Sequence, residues 1–167
     1  LPPGLDWKPA GLDAAIAQAE DLWFELPIDA ASEARTGPLA ASRGMLPPDG
    51  SLSKMLSPDG AQRLEKVAAE LGVSMAILDR LEPWFAEVAL AGANFMKSGA
   101  DAGSGVEKSL AASAPASAAR KAFESPEQQI AIFDAAPLAE QIASLEESLR
   151  EMQRNQRAYD ELVAVWM

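Results

Sequence analysis

The sequence predicts a mainly α-helical fold of the α+β class: a helical bundle subdomain with two short strands that belong to a larger, incomplete sheet. Apolar residues recur at three- and four-residue steps along most of the chain, which is typical of amphipathic helices. Only residues 22–26 and 120–123 have the character of strands. Of the 167 residues, 49% are hydrophobic, so we expect a single domain over residues 1–167.

The composition excludes several classes of function. Lys and Arg number 14 against 25 Asp and Glu, and the net charge of −11 argues against nucleic acid as a partner because phosphates would be repelled. The chain has no cysteine and no histidine, so disulfides, a Ser-His-Asp triad and a histidine zinc site cannot form within these residues. No apolar run approaches the roughly 20 residues that a transmembrane helix requires.

Residues 1–36 contain the first predicted helix and strand. The chain begins with Leu1 rather than Met, so we expect further residues upstream of it. A helix is predicted from Leu12, and the apolar run after it predicts a buried strand. Glu25 stands near the carboxyl end of that strand, where an unpaired carboxylate is costly to bury. Glu25 is therefore expected either at the exposed rim of the sheet or in a polar site.

Residues 37–60 are predicted to be rich in loops, because Gly and Pro recur there, as in Gly37-Pro38. Helices are predicted over residues 61–97. The first of them starts near Pro58 and is closed by Gly72, a second runs from Met75 to Leu81, and Pro83 opens a third. The third helix is predicted to bury the apolar residues Trp84, Phe85, Val88, Ala91, Phe95 and Met96.

Residues 98–118 form a connection of small residues with a short helix over residues 106–112. Residues 119–167 then comprise a strand, a corner and a helical hairpin. At the corner, Ser125 is the predicted N-cap, Pro126 occupies the first helical position and Gln128 completes a capping box. Glu124 is therefore held where a strand turns into a helix, which is a recurrent place for catalytic carboxylates and also an ordinary helix start.

The end of the chain is strongly helical. One apolar stripe contains Leu138, Ile142, Leu145, Leu149 and Met152, and a second contains Tyr159, Leu162, Val163 and Trp166. Together they predict a helical hairpin whose apolar faces pack against the Trp84 helix or against a partner, including a second copy of the chain. We also expect the natural chain to continue beyond Met167.

Several runs of residues, in their order and spacing, resemble the TraB/GumN family, which is related to the Tiki proteases and the erythromycin-esterase-like fold. The resemblance extends over essentially the whole chain. It rests on Leu1-Pro2-Pro3-Gly4-Leu5-Asp6-Trp7, Leu22-Trp23-Phe24-Glu25-Leu26, Leu52-Ser53-Lys54-Met55-Leu56-Ser57, Leu81-Glu82-Pro83-Trp84, Gly105-Val106-Glu107 and Phe123-Glu124-Ser125-Pro126-Glu127-Gln128.

The resemblance implies a metal-dependent hydrolase that acts on peptides. Glu25 matches the acidic residue at the end of the family's second strand, Glu124 and Glu127 match its Glu-x-x-Glu-Gln motif, and Glu107 stands where the family has Asp. It thus implies that Glu25 and Glu124 are catalytic and that Glu25, Glu124 and Glu127 are ligands of a divalent metal. The family's histidine motifs are absent from this chain, so its residues alone are not expected to be active. Family habit implies the periplasm or cell envelope, and the cytoplasm is the alternative location.

A second interpretation is a non-catalytic helical module that binds a partner or supports the cell envelope. The hydrolase interpretation requires Glu25 and Glu124 to approach each other at an opening that a peptide or small molecule can enter. If the two carboxylates instead lie apart in solvent, or pair with an arginine such as Arg120, the binding module becomes the better interpretation.

Overall fold

The computed structural model describes residues 8–99 and 105–154. In these ranges the chain is mainly helical with two short strands, as the sequence predicts. In chain order, the elements are α1 (Leu12–Ala17), β1 (Asp21–Phe24), α2 (Ala30–Arg43), a 3₁₀ turn (Leu52–Lys54), α3 (Pro58–Leu71), α4 (Met75–Leu78), α5 (Pro83–Lys97), α6 (Val106–Ser113), β2 (Ala119–Ala122), α7 (Pro126–Asp134) and α8 (Leu138–Arg154).

The predicted ends of α3 are confirmed. Ser57 is the N-cap, and its hydroxyl accepts a hydrogen bond from the Gly60 N–H at 3.0 Å. Pro58 occupies the first turn, where its missing N–H removes no helical hydrogen bond. At the other end Gly72 adopts φ 70°, a left-handed conformation that favours glycine and stops the helix. The local sequence alone therefore determines both ends of α3.

The main core lies where α3, α5 and α8 pack together. Its side chains are almost all aliphatic, and Leu64, Leu90, Leu145 and Leu149 have no solvent exposure. Each such leucine contributes roughly 1.5–3 kcal/mol by leaving water. The apolar stripe predicted for the last third of the chain is therefore a core face through Leu145 and Leu149.

The predicted buried face of α5 is wrong for several residues. Val88, Phe95 and Met96 are 44%, 41% and 60% exposed, respectively, whereas Ala86 and Leu90 are completely buried. Because successive residues in a helix are about 100° apart, residues 86 and 90 lie on the side of α5 opposite residues 88 and 95. The core packs against the side of α5 that contains Ala86 and Leu90.

Helix α2 runs through Gly37 and Pro38, where the sequence predicts a loop. An interior proline costs about 3 kcal/mol because it removes a hydrogen bond and crowds the preceding turn. Asp29 offsets part of this cost as the N-cap, accepting hydrogen bonds from the Ser32 N–H at 2.9 Å and from its hydroxyl. Packing of α2 against α7 provides the tertiary support that the local pattern did not reveal.

Two adjacent residues after α4 hold the segment that links α2 to α3. The Asp79 carboxylate accepts hydrogen bonds from the Ser53 N–H at 2.7 Å and from the hydroxyls of Ser51 and Ser53. The Arg80 guanidinium donates to the backbone carbonyls of Leu46, Pro47, Pro48 and Gly50. Helix α4 is shorter than predicted, because the chain leaves the helix at Asp79 to make these contacts.

The two strands pair in parallel, with Asp21 opposite Ala119 and Phe24 opposite Ala122. The prediction that β1 is a buried strand holds for Phe24 but is wrong for Trp23, which is 52% exposed. Trp23 stacks on the exposed Phe123 with ring centroids 5.0 Å apart. Alternate residues of a strand point to opposite faces, so one face of this small sheet packs inward and the other faces solvent.

The described residues contain no helix with the length and apolar character needed to cross a bilayer. The predicted second stripe of the hairpin, from Tyr159 to Trp166, lies outside the described residues, as does the opening run from Leu1 to Trp7.

Candidate functional site

Glu25 and Glu124 each follow the carboxyl end of one of the two parallel strands. The backbone ladder extends past the strands: the Phe123 N–H donates to the Phe24 carbonyl at 2.9 Å and the Glu124 N–H to the Glu25 carbonyl at 3.0 Å. Neighbouring strands lie about 4.8 Å apart, so these two residues are backbone neighbours. Ligand sites in open parallel sheets form at this edge.

The corner after β2 has the predicted capping box. The Ser125 hydroxyl accepts from the Gln128 N–H at 3.2 Å, and the Gln128 side chain accepts from the Ser125 N–H at 2.8 Å. This reciprocal pair fixes the start of α7 against the strand end. In the first turns of α7, the side-chain amide of Gln129 donates to Oε1 of Glu25 at 2.7 Å.

Glu127 lies in the first turn of α7 and is exposed. Hydrogen bonds from its own backbone N–H and from the Ser125 side chain hold the pKa of Glu127 below its ordinary value, and Arg35 in α2 adds a favourable charge. A low pKa is expected for a carboxylate at a helix N-terminus. Glu127 is therefore ionised at neutral pH and contributes negative charge to this end of the sheet.

Glu107 lines a pocket of about 430 Å³ next to this edge. Leu26, which follows Glu25, and Pro126, which begins α7, also line the pocket. On the wall formed by α2 and α6, the Lys108 ammonium pairs with the Glu33 carboxylate at 3.0 Å. The pocket thus combines an apolar floor with charged groups at its rim, as is common in small-molecule sites.

A second pocket, of about 370 Å³, lies over the inward face of the two strands and is lined in part by Phe24, Asp29 and Arg120. Arg120 does not pair with either predicted catalytic carboxylate. Its guanidinium donates to the carbonyl of Ala111 in α6 and to those of Ala114, Pro115 and Ala118, which connect α6 to β2. Arg120 therefore supports the approach to β2.

The donor set available for a metal is incomplete. Across residues 8–99 and 105–154, no three Asp or Glu side chains lie close enough together to hold a metal ion. The whole chain also lacks histidine and cysteine. Catalytic zinc sites use three protein ligands that include nitrogen or sulfur donors, so the described residues do not fit such a site by themselves.

Sequence reasoning did not identify Gln129 or the Lys108–Glu33 pair. Gln129 is 104 positions from Glu25, and its contact depends on how α7 packs against β1. The capping box provides a partial signal for Gln129. It defines where α7 begins, and therefore places Gln129 in the first turns of that helix. Lys108 directly follows Glu107, but only the position of α2 shows that its partner is Glu33.

Comparison with known proteins gives one match. The family model described as the TraB/PrgY/gumN family matches residues 1–167, the whole chain. No curated protein and no solved structure matches it. A match over the full length carries the family assignment by itself, and the chain belongs to the TraB/PrgY/gumN family.

Proposed function

We propose that this chain supplies the helical portion and the acidic residues of a metal-dependent hydrolase that acts on peptides. Histidine residues outside this chain would complete the metal site. Glu25 and Glu124 are the proposed catalytic residues, and Glu107 lines the substrate pocket. Of the proposed metal ligands Glu25, Glu124 and Glu127, one or two would join the outside histidines, because no three carboxylates of the described residues lie close enough together to hold an ion. A location in the periplasm or cell envelope is part of the same proposal.

The observation that carries the proposal is the position of Glu25 and Glu124 as backbone neighbours just past two parallel strands, beside a pocket of about 430 Å³. Both residues lie just past the strand ends, and a backbone hydrogen bond joins them. Catalytic groups need such fixed positions, since even a small displacement from the productive geometry lowers the rate strongly.

The chemical role assigned to Glu25 is that of a general base. Its side chain is exposed, and Gln129 holds one carboxylate oxygen, Oε1, so the other oxygen is available to accept a proton from an attacking water. Glu124 is half-buried at the corner and would orient the same water or protonate the leaving group. The apolar pocket floor would exclude bulk water beneath the substrate.

Glu25→Gln and Glu124→Gln are each expected to lower kcat/KM for peptide hydrolysis by at least about 100-fold, because a general base typically contributes 10²–10⁴. The measurement uses the full-length protein with Zn²⁺, Mn²⁺ or Co²⁺ and a library of fluorescence-quenched peptides. Glu140→Gln makes the same chemical change at an exposed position of α8 and should leave kcat/KM unchanged. No hydrolysis by the unsubstituted protein with any of the metals, or full activity of both variants, would reject the hydrolase.

Gln129→Leu is expected to lower kcat roughly 10-fold with little change in KM, because groups that orient catalytic or ligating carboxylates typically contribute 10–100-fold. Gln128→Leu is the matched control, since it removes the capping-box bond to the Ser125 N–H but leaves the Gln129–Glu25 contact. It should lower the thermal midpoint with little effect on kcat. An unchanged kcat in Gln129→Leu would show that Gln129 does not position Glu25.

The alternative function, a non-catalytic binding module, is favoured by the exposed stack of Trp23 on Phe123. The Lys121 ammonium lies 5.3 Å from the Trp23 ring centroid, so this sheet face presents aromatic surface and a cation together. Exposed aromatic groups of this kind are common in binding surfaces. Retention of partner binding by the Glu25→Gln variant in the absence of any hydrolysis would support this alternative.

A further inference from the structure

The pocket of about 430 Å³ beside Glu25 combines an apolar floor with polar walls. Residues 26–28, which directly follow Glu25, provide most of the floor. The polar side chains come from α2 and α6, and they are Glu33, Thr36, Glu107 and Lys108. The volume lies within the roughly 300–1,000 Å³ of small-molecule sites. A ligand that fits this pocket therefore has an apolar part and a polar end.

The polar side chains of the pocket offer acceptors rather than donors. Thr36 donates its hydroxyl hydrogen to the Ser32 carbonyl at 2.8 Å, so only oxygen lone pairs remain for a ligand. Glu33 and Glu107 carry carboxylates, which accept hydrogen bonds. Among the described residues that line the pocket, only Lys108 has side-chain N–H donors, and its ammonium already pairs with Glu33 at 3.0 Å. The polar end of the ligand therefore has to donate hydrogen bonds.

The pocket also carries excess negative charge. Lys108 compensates Glu33, whereas Glu107 forms no ion pair with any residue in the described ranges. Glu25 adds a further carboxylate next to the floor, and the whole chain has a net charge of −11. A field of this sign raises the local concentration of cations. The donor that the pocket favours is therefore a positively charged one.

Two helix N-termini near the pocket have the opposite preference, because free N–H groups and the helix dipole attract anions. They belong to α6, through Glu107 and Lys108, and to α7, through Pro126. Carboxylates of the chain already occupy both first turns, Glu107 in α6 and Glu127 in α7. An anionic ligand would be repelled by these two carboxylates, whereas a cationic ligand would be attracted by them.

We infer that the pocket binds the side chain of a lysine or arginine in the substrate, next to the peptide bond that is hydrolysed beside Glu25. The aliphatic stem of that side chain lies on residues 26–28, and its charged end contacts the Glu107 carboxylate and the Thr36 hydroxyl. Glu107 thus determines specificity, and Lys108 limits it by neutralising Glu33. The inference rests on the proposed function, since it takes this cavity as the substrate pocket.

Binding of two matched peptides tests the inference without hydrolysis. Alanine pentapeptides with blocked ends and a central lysine or norleucine share an aliphatic stem and differ in charge. Titration of the full-length protein with each peptide, in the presence of a metal chelator and followed by NMR, gives two dissociation constants. We expect the lysine peptide to bind about 5-fold more tightly, which is the upper range for a partly exposed ion pair.

Substitutions in the pocket should change this ratio of dissociation constants in opposite directions. Glu107→Gln should lower it to about 2 or less, whereas Lys108→Met frees Glu33 and should raise it about 3-fold. Glu140→Gln and Lys66→Met make the same charge changes at exposed positions of α8 and α3, so they are the matched controls. Both controls should keep the ratio of the unsubstituted protein.

Equal dissociation constants for the two peptides would overturn the inference. A Glu107→Gln effect no larger than that of Glu140→Gln would also overturn it, because the preference would then reflect only the net charge of the chain. A lower ratio in Lys108→Met would do the same.

The same two peptides, labelled with a fluorophore and a quencher, distinguish this inference from the proposed function. Selective binding of the lysine peptide without cleavage in Zn²⁺, Mn²⁺ or Co²⁺ would reject the hydrolase and support the cation pocket. Cleavage of both peptides with equal kcat/KM would support the hydrolase and overturn the cation pocket. Cleavage with a preference for lysine that Glu107→Gln removes would support both.

Discussion

Leu145→Ala is expected to lower the free energy of unfolding by about 3 kcal/mol, within the 2–5 kcal/mol that buried Leu to Ala changes typically cost. Leu145 has no solvent exposure and belongs to the cluster that joins α8 to α3 and α5. Alanine would remove the apolar contacts of the side chain and leave a cavity that the surrounding helices cannot close completely. Urea unfolding monitored by tryptophan fluorescence measures the change.

Leu138→Ala is the matched control for this prediction. Leu138 begins the same helix, and its side chain is 50% exposed, so the same chemical change should cost less than about 1 kcal/mol. Alanine favours a helix at both positions, so the difference between the variants reports burial rather than helix propensity. Similar losses at the two positions would mean that α8 does not dock on α3 and α5 through Leu145.

The features predicted accurately from sequence are those determined by neighbouring residues. Helix α3 starts at Pro58 and is closed by Gly72, and Ser125 with Gln128 defines the start of α7, as predicted. Each of these motifs satisfies backbone groups within one helical turn. Because the chemistry is local, the rest of the fold does not need to be known.

The error at α5 has a different origin. Periodicity identifies an apolar side of a helix, but α5 has apolar residues on both sides, with Leu90 on one and Val88 on the other. Ala86 is a small residue, so periodicity does not identify it as a core position. It nevertheless belongs to the buried cluster that α5 forms with α3 and α8. Only the positions of the neighbouring helices determine which side is buried.

The candidate site was predictable in part. Glu25 and Glu124 follow the two segments predicted as strands, and the hydrogen bond from the Glu124 N–H to the Glu25 carbonyl makes them backbone neighbours. Their joint catalytic role stays a prediction. The contact of Gln129 with Glu25 joins residues that are 104 positions apart, so no local pattern contains it. Neither residue propensity nor apolar periodicity predicts long-range polar contacts of this kind.

Arg80 has a structural role that its sequence context does not indicate. By sequence it resembles an ordinary surface charge. Its guanidinium nevertheless donates to four backbone carbonyls in the segment before the 3₁₀ turn. That segment has few backbone partners of its own, since proline at positions 47 and 48 removes two N–H donors. A planar guanidinium with five donors can satisfy several carbonyls at once, which an ammonium cannot.

Arg80→Ala is therefore expected to lower the free energy of unfolding by about 2–3 kcal/mol, since hydrogen bonds to charged groups contribute roughly 1.5–3 kcal/mol and part of this set is exposed to water. Arg80→Lys keeps the charge and should recover less than half of the loss. Amide hydrogen exchange gives a local measurement: the N–H groups of Leu46 and Leu52, which donate to the carbonyls of Arg80 and Asp79, should exchange faster in both variants.

Arg43→Ala provides the comparison that separates this role from an ordinary surface charge. Arg43 pairs with Asp134 at 3.1 Å and is 55% exposed, so its loss should cost at most about 1 kcal/mol. If Arg80→Ala cost no more than Arg43→Ala, and the amides of Leu46 and Leu52 kept their protection, the segment would be held by the Asp79 carboxylate alone. The guanidinium contacts would then be a consequence of that fold rather than a cause of it.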